Sequence, residues 1–195
     1  WNGNFEQVKQ KLSQLPKDKK IITVCNAGVT SQNASMLLES MGYKTKVLEK
    51  GMIGWNELHQ AIDIINEEDL LIKQIIRVGK GCLSYLIGSK STKECFIVDP
   101  SQFVEEYIKL VGDSGFKIIG VIETHAHADH LSSSQFLKEY YPEMKIAISE
   151  NIRKVQKTFK DVFNFDDSFN TEGKQFDKLI TDYEIFFAGP IQIKA

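Results

Sequence analysis

The stretch Lys117-Ile118-Ile119-Gly120-Val121-Ile122-Glu123 is an apolar run that reads as a buried strand. It leads directly into Thr124-His125-Ala126-His127-Ala128-Asp129-His130, which holds three of the chain's four histidines. A strand that delivers its carboxyl end into clustered imidazoles and a carboxylate constrains both fold and chemistry. Imidazole is the commonest metal ligand, and His and Asp at alternating positions can converge on one or two cations. In an extended segment, His125 and His127 point the same way, towards one cation. Asp129 and His130 come as the chain turns into the next helix, where they can serve a neighbouring cation or relay a proton. His59, the remaining histidine, stands among polar neighbours on an expected helix and reads as a solvated surface residue.

The rest of the 195 residues divides into two parts. In the first, Ile21 to Cys25 is a short β-branched strand, Asn26 to Thr30 a loop, and Ser31 the cap of a helix carrying Ala34, Leu37, Leu38 and Met41 at helical spacing. Lys46-Val47-Leu48 is a second strand, and Gly51, Gly54 and Trp55 close the unit. Strand–loop–helix–strand is the order of a parallel sheet. Residues 56–72 carry isoleucines among charges and read as a helical connector. After it, Gln74 to Ile87 and Glu94 to Val98 form a strand pair, and Phe103, Tyr107, Leu110 and Val111 mark an amphipathic helix. Strand 117–122, a helix through Leu137 and strand 145–148 follow. Val155, Phe159, Val162 and Phe163 read as a packing face of another helix, with Asn164 to Asp167 as a turn. The expected domains are 1–60, a connector 61–72, and 73–195.

Composition narrows the partners. A formal net charge of −2 gives no electrostatic reason for nucleic acid or an anionic membrane. No apolar run approaches the roughly 20 residues of a bilayer span. The first residues lack the layout of a signal peptide. Three widely spaced cysteines do not make a disulfide framework, which points to a reducing, cytoplasmic setting. With no initiator Met, Trp1 is not expected to be a natural start. Cys82 and Cys95 lie in apolar strands and read as core.

Cys25 is different. It ends an expected parallel strand, with a glycine-containing loop and a helix N-terminus just after it. Backbone N–H groups of such a loop stabilise an anion there and lower a thiol pKa. Cys25-Asn26-Ala27-Gly28-Val29-Thr30-Ser31, followed by a helix and Leu48-Glu49-Lys50-Gly51-Met52-Ile53-Gly54-Trp55, resembles the second half of a rhodanese domain. The resemblance implies a persulfide-forming Cys25 with Asn26, Ala27, Gly28, Val29 and Thr30 as its binding loop. Thr30 stands where the family often has an arginine. The family's first half is expected to be missing, so that the chain is truncated at its amino end.

The histidine motif, with Val98-Asp99-Pro100 and the elements from about Ile75 onward, resembles the metallo-β-lactamase superfamily. The implied class is α/β: a partial rhodanese-like parallel sheet followed by a partial αββα sandwich. His-Ala-Asp-His beside a rhodanese-like unit looks most like the persulfide dioxygenase branch, with glyoxalase II as the near relative. The first implies one Fe(II), held by His125 and by ligands beyond Ala195, with His127, Asp129 and His130 shaping the site. The second implies two zinc ions with all four residues as ligands. The leading expectation is oxidation of a persulfide such as glutathione persulfide to sulfite, coupled to sulfur transfer through Cys25. The alternatives are a thioester hydrolase, a non-catalytic sulfur-carrier module, and an inactive fragment. Expected partners are a small-molecule persulfide or thiol such as glutathione, with no nucleic acid and no membrane; a homo-oligomer stays open.

Overall fold

The computed structural model describes residues 5–126 and 132–195. They form two compact units, one of residues up to Leu58 with Arg77–Lys80, the other of His59–Ile76 with Gly81–Ala195.

In the first unit, helix α1 (Phe5–Leu12) precedes strand β1 (Ile21–Thr23), helix α2 (Val29–Ser40), strand β2 (Thr45–Val47) and helix α3 (Gly51–Glu57). β1 and β2 pair in parallel, with Ile21 opposite Thr45 and Thr23 opposite Val47. The expected strand–loop–helix–strand order is therefore present. Leu38 of α2 and the following Tyr43 are buried, and the Tyr43 hydroxyl donates to the Leu12 carbonyl at 2.8 Å. The seryl Oγ of Ser35 lies 2.5 Å from Thr45 Oγ1, tying helix to strand. The helix starts earlier than expected. Gly28, left-handed at φ 88°, is its N-cap, and Ser31 lies inside the first turn.

The second unit is built on a seven-stranded sheet in sequential order, from β3 (His59–Asn66) through β4 (Leu70–Arg77), β5 (Cys82–Ser89), β6 (Glu94–Val98), β7 (Lys117–Glu123) and β8 (Lys145–Ser149) to β9 (Lys178–Ile180). β5 and β6 pair antiparallel, while β6–β7, β7–β8 and β8–β9 pair in parallel. Helices α4 (Val104–Ser114), α5 (Ser134–Tyr140) and α6 (Ile152–Val162) connect the later strands. β10 (Ile185–Ala188) and β11 (Ile191–Lys194) form a separate antiparallel hairpin. Side chains alternate across the sheet. Cys95, Ile97, Ile118, Val121 and Ile146 join one core with Tyr107 and Val111 of α4 and Leu137 of α5. Phe96, Ile122, Ala147 and Ile180 join a second core with Phe186 and Ala188 of the hairpin. The sheet is thus covered on both faces, by helices on one and strands on the other. That explains why β7 reads as a continuous apolar run.

Three expectations change. Residues 59–66 are a strand, not part of a helical connector. Ile62, Ile64 and Ile65 prefer the extended chain, and the strand is mostly exposed, so its polar residues mask the pattern. Residues 74–87 are not one strand, since β4 ends at Arg77 and β5 begins at Cys82 beyond a turn with Gly81 at φ 74°. On α6, Ile152 and Gln156 are the buried residues, whereas Val162 and Phe163 are 68% and 60% exposed. Phe163 stacks edge-on with Phe159 and continues through Phe165 to Phe169. Among the described residues, no helix is long and apolar enough to cross a membrane.

Candidate functional site

Cys25 follows β1 by two residues and is half-buried. The loop after it folds around its sulfur. Gly28 N–H donates to Sγ at 3.1 Å and Ser31 N–H at 3.4 Å. The Ser31 hydroxyl lies 3.3 Å from Sγ and donates to the Gly28 carbonyl at 2.9 Å. With the thiol protonated, S–H donates to Ser31 Oγ; with a thiolate, the hydroxyl rotor can turn to donate to sulfur. Every one of these donors favours the anion. Hydrogen bonds from the Ser31 and Thr30 side chains, then from the Ser31 backbone, outweigh desolvation and lower the Cys25 pKa to about 6. By contrast, burial alone pushes Cys95 up to about 12. Cys82, at the start of β5, is half-buried, and all three thiols are free.

The loop has a second support. Met52 N–H donates to the Cys25 carbonyl at 2.9 Å and Ile53 N–H to the Asn26 carbonyl at 3.0 Å. Both amides lie in the first turn of α3. The approach is possible because residue 51 has no side chain: a Cβ there would lie 2.1 Å from the Cys25 carbonyl oxygen. Gly51 is also left-handed at φ 57°. Gly51→Ala is therefore expected to cost about 1–2 kcal/mol from backbone conformation alone, with the overlap in addition. Thermal unfolding and the Cys25 alkylation rate should both register the displaced loop.

The thiol itself is directly measurable. Its alkylation rate should rise with thiolate fraction, reach half-maximum near pH 6 and level off above it. Ser31→Ala removes the largest lowering contribution, so its midpoint should move up towards the ordinary value of about 8.5. An unchanged midpoint in that variant would contradict the account of the loop.

The second place of interest is the carboxyl end of β7. Thr124 N–H donates to Asp99 Oδ1 at 2.7 Å and the Thr124 hydroxyl to Asp99 Oδ2 at 2.5 Å. Asp99 is held left-handed at φ 49°, with its own N–H on the Ile122 carbonyl. Thr124 Oγ1 lies 2.8 Å from His125 Nδ1. Since the only hydroxyl proton goes to Asp99, Oγ1 accepts from Nδ1–H. That selects the tautomer whose Nε2 carries the lone pair, the form that binds a metal. His127, Asp129 and His130 lie outside the described residues. Among the described residues no group of three or more His, Cys, Asp or Glu is placed to hold a metal. A mostly apolar cleft of about 390 Å³ adjoins Thr124, with Ile122, Phe186 and Ile193 in its walls and Thr181 and Asp182 among its polar groups.

Sequence reading missed several contributors. Ser31 was expected as a helix cap and instead lies on the sulfur. Asp99 and Glu123 were not singled out as site residues. Glu123 is buried, and its Oε1 accepts from the Ser132 and Ser134 hydroxyls. His59 is not a solvated helical residue. It starts β3, meets the Phe103 ring edge-on, and places Nε2 3.2 Å from Ser101 Oγ.

Comparison with known proteins follows this division. A model of the metallo-β-lactamase superfamily matches residues 77–188, and a rhodanese-like domain model matches residues 1–58. The latter gives the amino-terminal segment as a rhodanese-like domain without dividing it into halves. "Glyoxylase B2" of Dictyostelium discoideum is 37% identical over 121 residues, which cover 56% of this chain and 41% of that protein. A mitochondrial persulfide dioxygenase of Bos taurus is 27% identical over 81 residues, 41% of this chain and 32% of that protein. A metallo-β-lactamase structure from Staphylococcus aureus aligns with TM-score 0.48 and 22% identity over 66% of this chain and 34% of that one. These matches span less than half the length of each relative.

Proposed function

Because the chain belongs to the metallo-β-lactamase superfamily, we propose that it is a sulfur enzyme that oxidises a thiol persulfide and moves sulfane sulfur through Cys25. The observation that carries this reading is the Cys25 cradle. Two backbone N–H groups and a hydroxyl surround a thiol lowered to about 6, so it is largely thiolate at neutral pH. A thiolate so held attacks the outer sulfur of a persulfide R–S–SH. A new S–S bond forms at Cys25, the donor's S–S bond breaks, and R–S⁻ leaves while the proton passes to the new persulfide or to solvent. The reverse step returns the sulfur to a thiol such as glutathione. Gly28 and Ser31 hold the charge at Sγ before the sulfur arrives and again once it has been passed on, while in the persulfide the charge or proton lies on the outer sulfur.

His125 fits a metal site, because Asp99 and Thr124 orient it with Nε2 unprotonated. His127, Asp129 and His130 complete the candidate donors, as ligands or as groups that shape the site. A ferrous ion held there would supply the one-electron chemistry that dioxygen requires, and two zinc ions would instead supply Lewis acidity for hydrolysis. The chain's own residues present the imidazole at the carboxyl end of β7.

The glyoxylase-named relative at 37% identity favours a second reading, a thioester hydrolase with an accessory rhodanese-like domain. Metal analysis together with an oxygen electrode separates the two. One iron and oxygen uptake on glutathione persulfide are expected. Two zinc ions, thioester cleavage and no oxygen uptake would establish the hydrolase instead.

A further inference from the structure

We infer that Glu123 is a positioning residue for metal binding, because its buried carboxylate fastens the two ends of the histidine segment to each other. The inference rests on the metal reading above. Glu123 is the last residue of β7 and 4% exposed. Its Oε1 accepts hydrogen bonds from the hydroxyls of Ser132 and Ser134, and Ser134 is itself 4% exposed. The Ser134 N–H donates to Ser132 Oγ at 3.2 Å, which closes the group. One carboxylate oxygen thus joins the residue from which the chain leaves the sheet to the residues at which it returns.

The same two ends are also fastened to Asp99-Pro100-Ser101. The Asp99 carboxylate holds Thr124 at the exit from β7. On the return, Ser133 N–H donates to the Pro100 carbonyl at 3.3 Å, and Ser101 bridges antiparallel to Ser132. Ser101 is anchored in turn by its N–H on the buried Tyr107 hydroxyl at 2.7 Å. Burying a carboxylate carries a desolvation cost that hydrogen bonds offset only in part, and apolar side chains fill such a place with less cost. What the carboxylate provides is a fixed separation between the ends of the ligand-bearing segment. Donors on a segment with fixed ends lose less freedom when they close on a cation, so affinity rises.

Zinc dissociation constants, measured by competition with a chelating dye, test this on the native chain, Glu123→Ala, Glu123→Gln and Ser132→Ala/Ser134→Ala. The visible spectrum of the cobalt-substituted proteins gives a readout that a loss of stability alone would not move. Glu123→Ala and the double serine variant should each bind zinc about tenfold more weakly or worse, with an altered cobalt band. Glu123→Gln, which keeps an acceptor oxygen, should fall between. Combining Glu123→Ala with the serine changes should add nothing further, since both remove the same bonds. Should Glu123→Ala fail to fold, the serine pair alone carries the comparison. Native-like affinity in the serine pair, or in Glu123→Ala, overturns the inference while leaving the metal reading intact. No zinc binding by the native chain overturns the metal reading and this inference with it.

Discussion

Cys25→Ser should abolish sulfur transfer, lowering the rate from a persulfide donor to a thiol acceptor by more than about 1,000-fold. The hydroxyl is close in size to the thiol and can accept the same N–H groups of Gly28 and Ser31, so the fold should persist. What disappears is the nucleophile, because a seryl hydroxyl at neutral pH is neither ionised nor able to hold a sulfane sulfur. The loss should fall on the transfer reaction alone. Oxygen uptake on a persulfide, if catalysed at the histidine segment, should continue in this variant at a comparable rate. A variant that keeps more than a few per cent of its transfer activity would show that sulfur is not carried on Cys25.

Asp99→Asn should weaken metal binding by about 10- to 100-fold. Asparagine tolerates the left-handed backbone at φ 49° as aspartate does. Its Oδ1 can still accept from Thr124 N–H, but its other terminal atom is a donor. The Thr124 hydroxyl then accepts from the amide and turns its own proton to His125 Nδ1. That reverses the hydrogen bond at 2.8 Å and moves the imidazole proton to Nε2. A protonated Nε2 cannot ligate, so the metal must pay for a tautomer change that the native carboxylate makes unnecessary. Calorimetric titration with zinc would read the loss. Native affinity in Asp99→Asn would show that the Asp99–Thr124 relay does not set the tautomer.

How much of this was legible in the chain depends on sequence separation. The β1–loop–α2–β2 unit was legible because its strands are β-branched and its loop lies between them without interruption. Strand β7 was legible because it is buried on both faces and so apolar throughout. Strand β3 was not, because it is mostly exposed and its isoleucines, Ile62 and Ile64 among the exposed residues, follow no two-residue alternation. The same rule holds at the sites. The cysteine and the histidines announce themselves by type, whereas their partners do not. Ser31 is six residues from Cys25 and looks like an ordinary helix cap. Asp99 is 25 residues from Thr124, and the pairing exists only because β6 and β7 lie side by side. Gly51 reads only as one of the residues that close the unit until the approach of the Cys25 carbonyl shows why no side chain fits. Local patterns set the elements, and the contacts that tune reactivity come from strands that meet only in the folded chain.

The most direct test is mass spectrometry of the protein after brief exposure to glutathione persulfide at pH 7. The account expects the mass of one added sulfur on the peptide containing Cys25, with Cys82 and Cys95 unmodified and the label discharged by a thiol acceptor. An unlabelled Cys25 under conditions where the other thiols react would contradict it.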